Sequence, residues 1–339
     1  MTIRTLDLFC GGGGSSWGAR AAGAQVVCGV DASPYAVATF RRNFPRANAV
    51  EMRLEEASGL ADLPSLGRID LLLASPECTS HGSARGSRPR DEGSRMTARY
   101  VLNFARDLLP RWVVVENVVH MKGWDGYRPL IEGLEELGYN VLPQELDASR
   151  LGVPQKRQRL FLLCDRWVMP RPVPLRRGKL RTARSVIEMS DRWKSRPVGP
   201  GTHAPATLAR VACGIAALGR GVPFLVVYYG SDRSGGWQTL DRPLRTLTTL
   251  DRFGLLTWDG DTPVMRMLQV PELKAAMGFG PEFDLDHGSR RDRIRILGNG
   301  VCPPVMEAIV STLTGANSRP IALPPRSGQA HVPIPVPAS

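Results

Sequence analysis

A run of four glycines, Gly11-Gly12-Gly13-Gly14, follows directly on an apolar strand pattern and precedes a helical one. Few arrangements tolerate that. Glycine there lets the backbone turn sharply, and it lets a ligand approach a helix N-terminus closely. The next apolar run, Gln25-Val26-Val27-Cys28-Gly29-Val30, ends in Asp31, about twenty residues past the loop. A carboxylate at the end of a second strand is where a ribose hydroxyl pair is held. The pattern predicts an open α/β sheet that binds a nucleoside-bearing cofactor through Phe9, Gly11, Gly13 and Asp31. No Gly-Lys-Ser/Thr follows the loop, which disfavours a phosphate-binding P-loop, whereas a dinucleotide site stays open on these residues alone. A helix-capping role for Asp31 weighs about evenly with ribose binding.

Short apolar runs then alternate with helical patterns through the first half. Strands are expected at 5–9, 25–30, 69–74, 112–116, 139–145 and 159–164, in a parallel sheet with crossover helices. One helix should start at Ser33-Pro34, with Ser as cap and Pro in the first turn, and run through Ala36, Phe40 and Phe44. Another carries Tyr100, Phe104 and Leu108 and stops at Pro110. The alternation fails near Asp165. Residues 170–184 are rich in Pro and Arg, and 197–205 in Pro and Gly, with strand-like runs at 223–229 and 244–250. The expected organisation is a catalytic and cofactor-binding domain over 1–165 and a smaller irregular domain over 166–260. The chain then returns to the first domain over 261–315 and ends in a Pro-rich disordered tail over 316–339. Helical pattern resumes at 271–277 and 303–313.

Three polar features stand at predicted strand ends. Cys78 follows Ile69-Asp70-Leu71-Leu72-Leu73-Ala74 through the turn Ser75-Pro76-Glu77, at the edge where open sheets place ligands. A free cysteine is usually an inert buried thiol; this position reverses the odds. Neighbouring Arg85, Arg88 and Arg90 could lower its pKa. Glu116 follows Trp112-Val113-Val114-Val115, where an acid is costly without a task or a partner; an arginine salt bridge is the competing explanation. Arg157 and Arg159 alternate onto one face before the next strand, either defending a sheet edge or aimed at a carbonyl or phosphate.

The chain has 339 residues, 42% of them hydrophobic, which is enough for a large core plus a smaller domain. It has no apolar run of membrane-spanning length and no signal-peptide pattern, so a soluble cytoplasmic protein is expected. The six cysteines form no Cys-x-x-Cys pair and no zinc spacing, so no metal is expected. The net charge of +12 is carried mainly by arginine and suggests a polyanionic partner, although arginine-rich codon usage explains part of the count.

Taken together, these segments resemble the DNA cytosine-5 methyltransferases, over residues 4–313. Asp7-Leu8-Phe9-Cys10-Gly11-Gly12-Gly13-Gly14 looks like the family's cofactor loop, Ser75-Pro76-Glu77-Cys78 its Pro-Cys motif, and Glu116-Asn117-Val118 its Glu-Asn-Val. Gln155-Lys156-Arg157-Gln158-Arg159 matches Gln-x-Arg-x-Arg. The run from Arg266-Met267-Leu268 to Gly278-Phe279 looks like the penultimate motif, and Gly298-Asn299-Gly300-Val301 like the last. The resemblance implies a Rossmann-like fold binding S-adenosylmethionine through Phe9, Gly11, Gly13, Asp31, Glu51, Asn299 and Val301. It implies a cytosine flipped out of duplex DNA, attacked by Cys78, with Glu116 at N3, Arg159 at O2 and Arg157 beside nucleophile and phosphate. The segment 166–260 becomes the target-recognition domain, with Arg233, Trp237, Arg242 and Arg245 as DNA contacts. A monomer is expected, with a cognate restriction endonuclease acting separately if there is one. Departures are Glu77 and Thr79 flanking Cys78, where the family has Pro and Gln, then His81, and Gly300 in place of a frequent Ser. Glu77 would raise the thiol pKa unless an arginine pairs with it. The competing functions are an RNA cytosine methyltransferase on the same fold, a non-catalytic DNA-binding module and an NAD-dependent oxidoreductase. The first lacks its Cys-Phe-Thr signature here, and the last has no hydride-transfer site in the second half.

Overall fold

A computed structural model describes residues 2–77, 92–229 and 236–315, without the side chains of 92–95. Cys78, Thr79, His81, Arg85, Arg88, Arg90, Arg233 and the tail 316–339 lie outside the described residues.

The larger sheet has seven strands: β1 (Arg4–Leu8), β2 (Gln25–Asp31), β3 (Asn48–Glu51), β4 (Leu71–Ala74), β5 (Trp112–Asn117), β6 (Asn140–Asp147) and β7 (Gln158–Asp165). Their order is β3-β2-β1-β4-β5-β7-β6. The first five strands pair in parallel, as expected from the alternation. β7 does not: it runs antiparallel to both β5 and β6. The reason is its connection. A crossover helix, α4 (Tyr127–Glu136), carries the chain from β5 to β6, but only a short turn-rich link, 148–157, joins β6 to β7, so the chain reverses. Helices α1 (Gly14–Ala21), α2 (Pro34–Asn43) and α3 (Glu92–Leu108) complete the first half. Ser33 caps α2, its hydroxyl accepting from Ala36 N–H at 3.4 Å.

Strand alternation divides the core into two faces. Leu71, Leu73, Trp112, Val114, Phe161 and Leu163 face one cluster, whereas Leu72, Ala74, Val113, Val115, Leu160 and Leu162 face the other with Phe104 of α3 and Leu130 of α4. The first face is covered by α1 and by α8 (Pro303–Thr314), which follows α7 (Arg290–Asn299). Among the described residues, Arg290–Thr314 is the one stretch long and apolar enough to cross a membrane by length and composition, and most of it is buried here as core.

The smaller sheet has the order β10 (Trp237–Thr239), β9 (Phe224–Val227), β11 (Phe253–Asp259), β12 (Thr262–Met267) and β8 (Arg196–Pro197), all antiparallel. Helix α5 (Pro205–Leu218) packs on it through Val211. Two expectations need correction. The boundary at residue 260 falls inside the β11–β12 hairpin, whose register Asp259↔Thr262 leaves Gly260 (φ 54°) and Asp261 as its turn. The run 244–250 forms no ladder strand; Leu244 makes an isolated parallel bridge to Gln155 instead. Leu225, Val227, Phe253 and Leu255 join the same cluster as Leu71 and Val114, so the two sheets share a core. A buried bidentate pair, Arg266 to Glu272 at 2.8 Å through each nitrogen, ties β12 to α6 (Val270–Ala276).

Candidate functional site

Register sets the site. Leu8 pairs with Val30 and Ala74, Ala74 pairs with Val115, and Asp31 pairs with Glu51. The carboxyl ends of five parallel strands therefore align, and the chain leaves that edge at Phe9, Asp31, Glu51, Ser75 and Glu116.

The glycine loop is built from left-handed residues: Phe9 at φ 55°, Gly11 at 53° and Gly13 at 95°. Phe9 is one of only two non-glycine residues in that region among the described residues, a strain that ordered sites hold. Its carbonyl is gripped by the Ser75 hydroxyl at 2.9 Å, which joins the loop to the segment entering Cys78. Gly11 N–H donates to Asp31 Oδ2 at 2.8 Å and Ser33 N–H to Oδ1 at 2.9 Å. Burial pushes the Asp31 carboxyl above its ordinary range. A side chain at Gly11 would meet nothing within 4 Å, so the loop borders open space there. At Gly14 a Cβ would fall 2.3 Å from the Val301 carbonyl, so α1 begins in direct contact with the α7–α8 junction. Val301 is buried, and Asn299 and Glu51 are exposed at the rim. Open space beside the loop, a half-buried carboxylate and a second acid in register with it suit a nucleoside with a free diol. Under β1, Asp7 is fully buried; Ser16 Oγ donates to its Oδ2 at 2.6 Å, and Oδ1 has no partner among the described residues. Burial drives its carboxyl up to about 7.

Beside the loop, Asn117 Nδ2 donates to the Pro76 carbonyl at 3.3 Å, so β5 fixes the turn that precedes Cys78. Glu77 is exposed and turned toward Arg53, at 3.8 Å.

Glu116 is 5% exposed and lies 3.1 Å from Arg159 Nε. Burial raises its pKa, while Arg159 and then Arg157 oppose the rise. Both Glu116 and Arg159 border a small hollow, about 210 Å³ including its mouth, with Arg157, Cys302, Val301 and Phe161. Arg157 is 2% exposed: Nη1 donates to Leu247 O at 3.1 Å, and Nη2 to Gly298 O and Gly300 O at 2.9 Å each. It clasps the smaller sheet's approach and the α7–α8 junction; the resemblance implies a place beside nucleophile and phosphate, and Cys78 lies outside the described residues.

Gln155 belongs to the Gln-x-Arg-x-Arg run, yet the sequence alone assigns it no task. It is fully buried, donates to Ala276 O at 3.1 Å and accepts from Leu247 N–H at 2.9 Å. A neutral amide in a turn gives no sequence signal for partners that distant.

Of the recognition candidates, Trp237 packs edge-on against Phe224, with centroids 6.3 Å apart, within the smaller core. Arg245 is half-buried and donates to Trp237 O at 3.4 Å, and Arg242 is exposed. Cys10, Cys28, Cys164 and Cys302 are buried and Cys213 is exposed; burial lifts the Cys302 thiol to about 11. Among the described residues no group of three or more His, Cys, Asp and Glu could hold a metal.

The family model for C-5 cytosine-specific DNA methylases matches residues 3–191. The type II methyltransferase M.HgiDI of Herpetosiphon aurantiacus is 34% identical over 167 residues, covering 48% of this chain and 52% of the relative. M.AplI of Arthrospira platensis is 29% identical over 333 residues, covering 93% of this chain and 88% of the relative. The match spans about half the length of M.HgiDI and 39% of M.AgeI of Thalassovita gelatinovora. Among solved structures, a Spodoptera frugiperda DNMT2 mutant superposes with a TM-score of 0.67 at 18% identity, covering 92% of this chain and 99% of that one. The Dnmt2 methyltransferase of S. pombe does so at 0.65 and 17%, covering 92% and 98%. At such identity they show the shared Rossmann-like methyltransferase fold.

Proposed function

Because this chain belongs to the C-5 cytosine-specific DNA methylase family, we propose that it methylates carbon 5 of cytosine in a specific duplex DNA sequence, using S-adenosylmethionine. The observation that carries the proposal is the juxtaposition at one sheet edge. The Phe9–Gly13 loop with Asp31, the Pro76 turn and the Glu116–Arg159 pair are joined by the Ser75 and Asn117 hydrogen bonds.

The residues at the loop fit the cofactor: Asp31 and Glu51 would hold its ribose and adenine end, and Gly11 borders open space for it, whereas the bare Gly13 makes room for the Phe44 ring behind the loop. When bound, S-adenosylmethionine supplies an electrophilic methyl carbon. The chain does the rest. The target base must leave the stack before its ring carbons can be attacked. Cys78 adds as thiolate to C6, and the electron pair moves toward C5 and the N3–O2 side of the ring. Glu116, whose pKa burial raises against the pull of Arg159 and Arg157, would share a proton with N3. Arg159 donates to O2 and keeps Glu116 oriented. Once the methyl carbon had passed to C5, its bond to the sulfonium sulfur broken and S-adenosylhomocysteine left behind, a base would remove the C5 proton, and that electron pair would re-form the C5–C6 double bond as the Cys78 sulfur leaves. Arg157 is a positioning residue. Arg53 offsets the Glu77 charge next to the nucleophile.

The same reading makes 166–260, extended by β12, the target-recognition domain, with Arg233, Trp237, Arg242 and Arg245 toward DNA. It places a soluble monomer in the cytoplasm, beside a separate restriction endonuclease where one exists.

Bisulfite sequencing of a plasmid expressed with the chain tests the proposal. Protected cytosines in one sequence context, lost with Cys78→Ala while DNA binding persists, are expected. Methyl label entering tRNA alone, or full protection by Cys78→Ala, would overturn it.

A further inference from the structure

Between β7 and the smaller sheet, residues 166–187 carry seven Lys and Arg side chains and no acid. Two of them are occupied: Arg166 donates to Leu109 O, and Arg184 pairs with Asp241 at 2.8 Å. Arg171, Arg176, Arg177, Lys179 and Arg181 are exposed, as is Arg150 beneath them, and none makes an ion pair among the described residues. Some surface arginines elsewhere meet carboxylates, as Arg42 does Asp284, Arg128 does Glu132 and Arg290 does Asp251, while others, such as Arg41 and Arg46, do not among the described residues. Arginine-rich composition explains why these cations are arginines. It does not explain why no acid interrupts them.

The backbone under these charges is held. Val173 is buried and exchanges two hydrogen bonds with the Gln144 side chain, at 2.8 and 3.1 Å, along the edge strand β6. Arg176 N–H donates to Arg150 O at 2.9 Å. Ala183, fully buried, donates to Arg242 O at 2.8 Å, and Arg184 N–H to Leu240 O at 3.0 Å. The run is therefore pinned at one end to the large sheet and at the other to the small one. Arg176 and Arg181 converge on the turn at Gly152 (φ 88°). A Cβ there would lie 2.9 Å from Arg176 Nη1, and Arg181 Nη1 lies 3.5 Å from Gly152 O. Gly152 belongs to the link that delivers Arg157 and Arg159, at the carboxyl edge where β6 ends.

Like charges carried on a held backbone repel, and no carboxylate of this protein pairs with them among the described residues. A row of charges pinned across both sheets matches a polymer of regularly spaced anions rather than a single phosphate. We propose that 171–181, with Arg150, forms a phosphate-contact track for duplex DNA, continuing the interface beyond the base-flipping site. The inference rests on the DNA reading above and adds contacts to it. Such contacts are independent of sequence, so the track strengthens binding without choosing the target.

The test is the salt dependence of binding, measured by fluorescence anisotropy on a long duplex between about 50 and 200 mM salt. Removing one phosphate-binding cation lowers the slope of log K against log salt by about 0.9, so Arg176→Gln/Arg177→Gln/Lys179→Gln/Arg181→Gln should flatten it by roughly 3 to 4. Arg46→Gln/Arg106→Gln, exposed charges elsewhere, serves as the control and should leave the slope unchanged. If the quadruple variant does not fold, Arg177→Gln and Lys179→Gln singly should each lower the slope by about 0.9. An unchanged slope, an equal fall in the control, or a fall seen with single-stranded RNA but not with duplex DNA overturns the track. Bisulfite sequencing of the wild type separates the two failures. Without methylation the functional reading fails; with methylation but an unchanged slope, only the track does.

Discussion

Asp7 should make this protein less stable as pH rises, and the size of the effect follows from its surroundings. The carboxyl is fully buried in β1 with one hydrogen bond, from Ser16, and burial outweighs that bond, lifting the pKa from 3.8 to about 7. The folded state therefore keeps a proton that the unfolded chain releases near 3.8. Any stability from this group is whole below that value and is lost as pH rises through about 7. About two pK units of the interval lie between pH 5 and pH 7, at about 1.36 kcal/mol each, so wild type should lose about 3 kcal/mol from this source between pH 5 and pH 8. Asp7→Asn keeps an acceptor for Ser16 and cannot ionise. Its buried amide adds an unpartnered donor, costing about 1–3 kcal/mol at every pH, so the readout is the difference between pH values and not the offset. Urea unfolding of both proteins at pH 5 and pH 8 measures it. The variant should be the weaker at pH 5 and should gain about 3 kcal/mol on wild type by pH 8. Parallel stability curves would refute the reasoning, because they would mean that Asp7 is not protonated in the folded protein at pH 5.

Two further outcomes separate structure from chemistry at the same edge. Arg157→Ala leaves two buried carbonyls and a half-buried one without their charged donor and should destabilise the fold by several kcal/mol, each charged bond being worth about 1.5–3 kcal/mol; Arg159→Gln, judged by thermal melts and methyl-transfer rate together, should lower the rate with a much smaller loss of stability. Gly14→Ala forces a methyl against the Val301 carbonyl, so S-adenosylmethionine affinity measured by calorimetry should fall at least tenfold, the equivalent of about 1.4 kcal/mol.

The strand ends of the large sheet were legible because each combines a local apolar run with a polar residue at its carboxyl end. Asp31 and Glu116 lie where that pattern puts them. Residue by residue, Arg157 and Arg159 looked alike. What distinguishes them is three carbonyls 90 to 143 positions away in one case and Glu116 in the other, and no local period carries that. β7 was assigned correctly as a strand but not in direction, since direction depends on whether the preceding link contains a helix. The β11–β12 hairpin did leave a signal, Asp259-Gly260-Asp261, which is a tight-turn sequence rather than a domain border. The buried period of Thr207, Val211 and Gly214 in α5 was masked by the proline- and glycine-rich residues before it.

The approach of Gly14 to Val301, and of Gly18 to the Pro303 carbonyl, has a consequence for synthesis. The ribosome delivers the glycine loop long before its wall. A nascent chain can assemble β1 to β5 and still lack the surface that backs α1. The glycine loop thus gains its backing only after the smaller sheet has emerged.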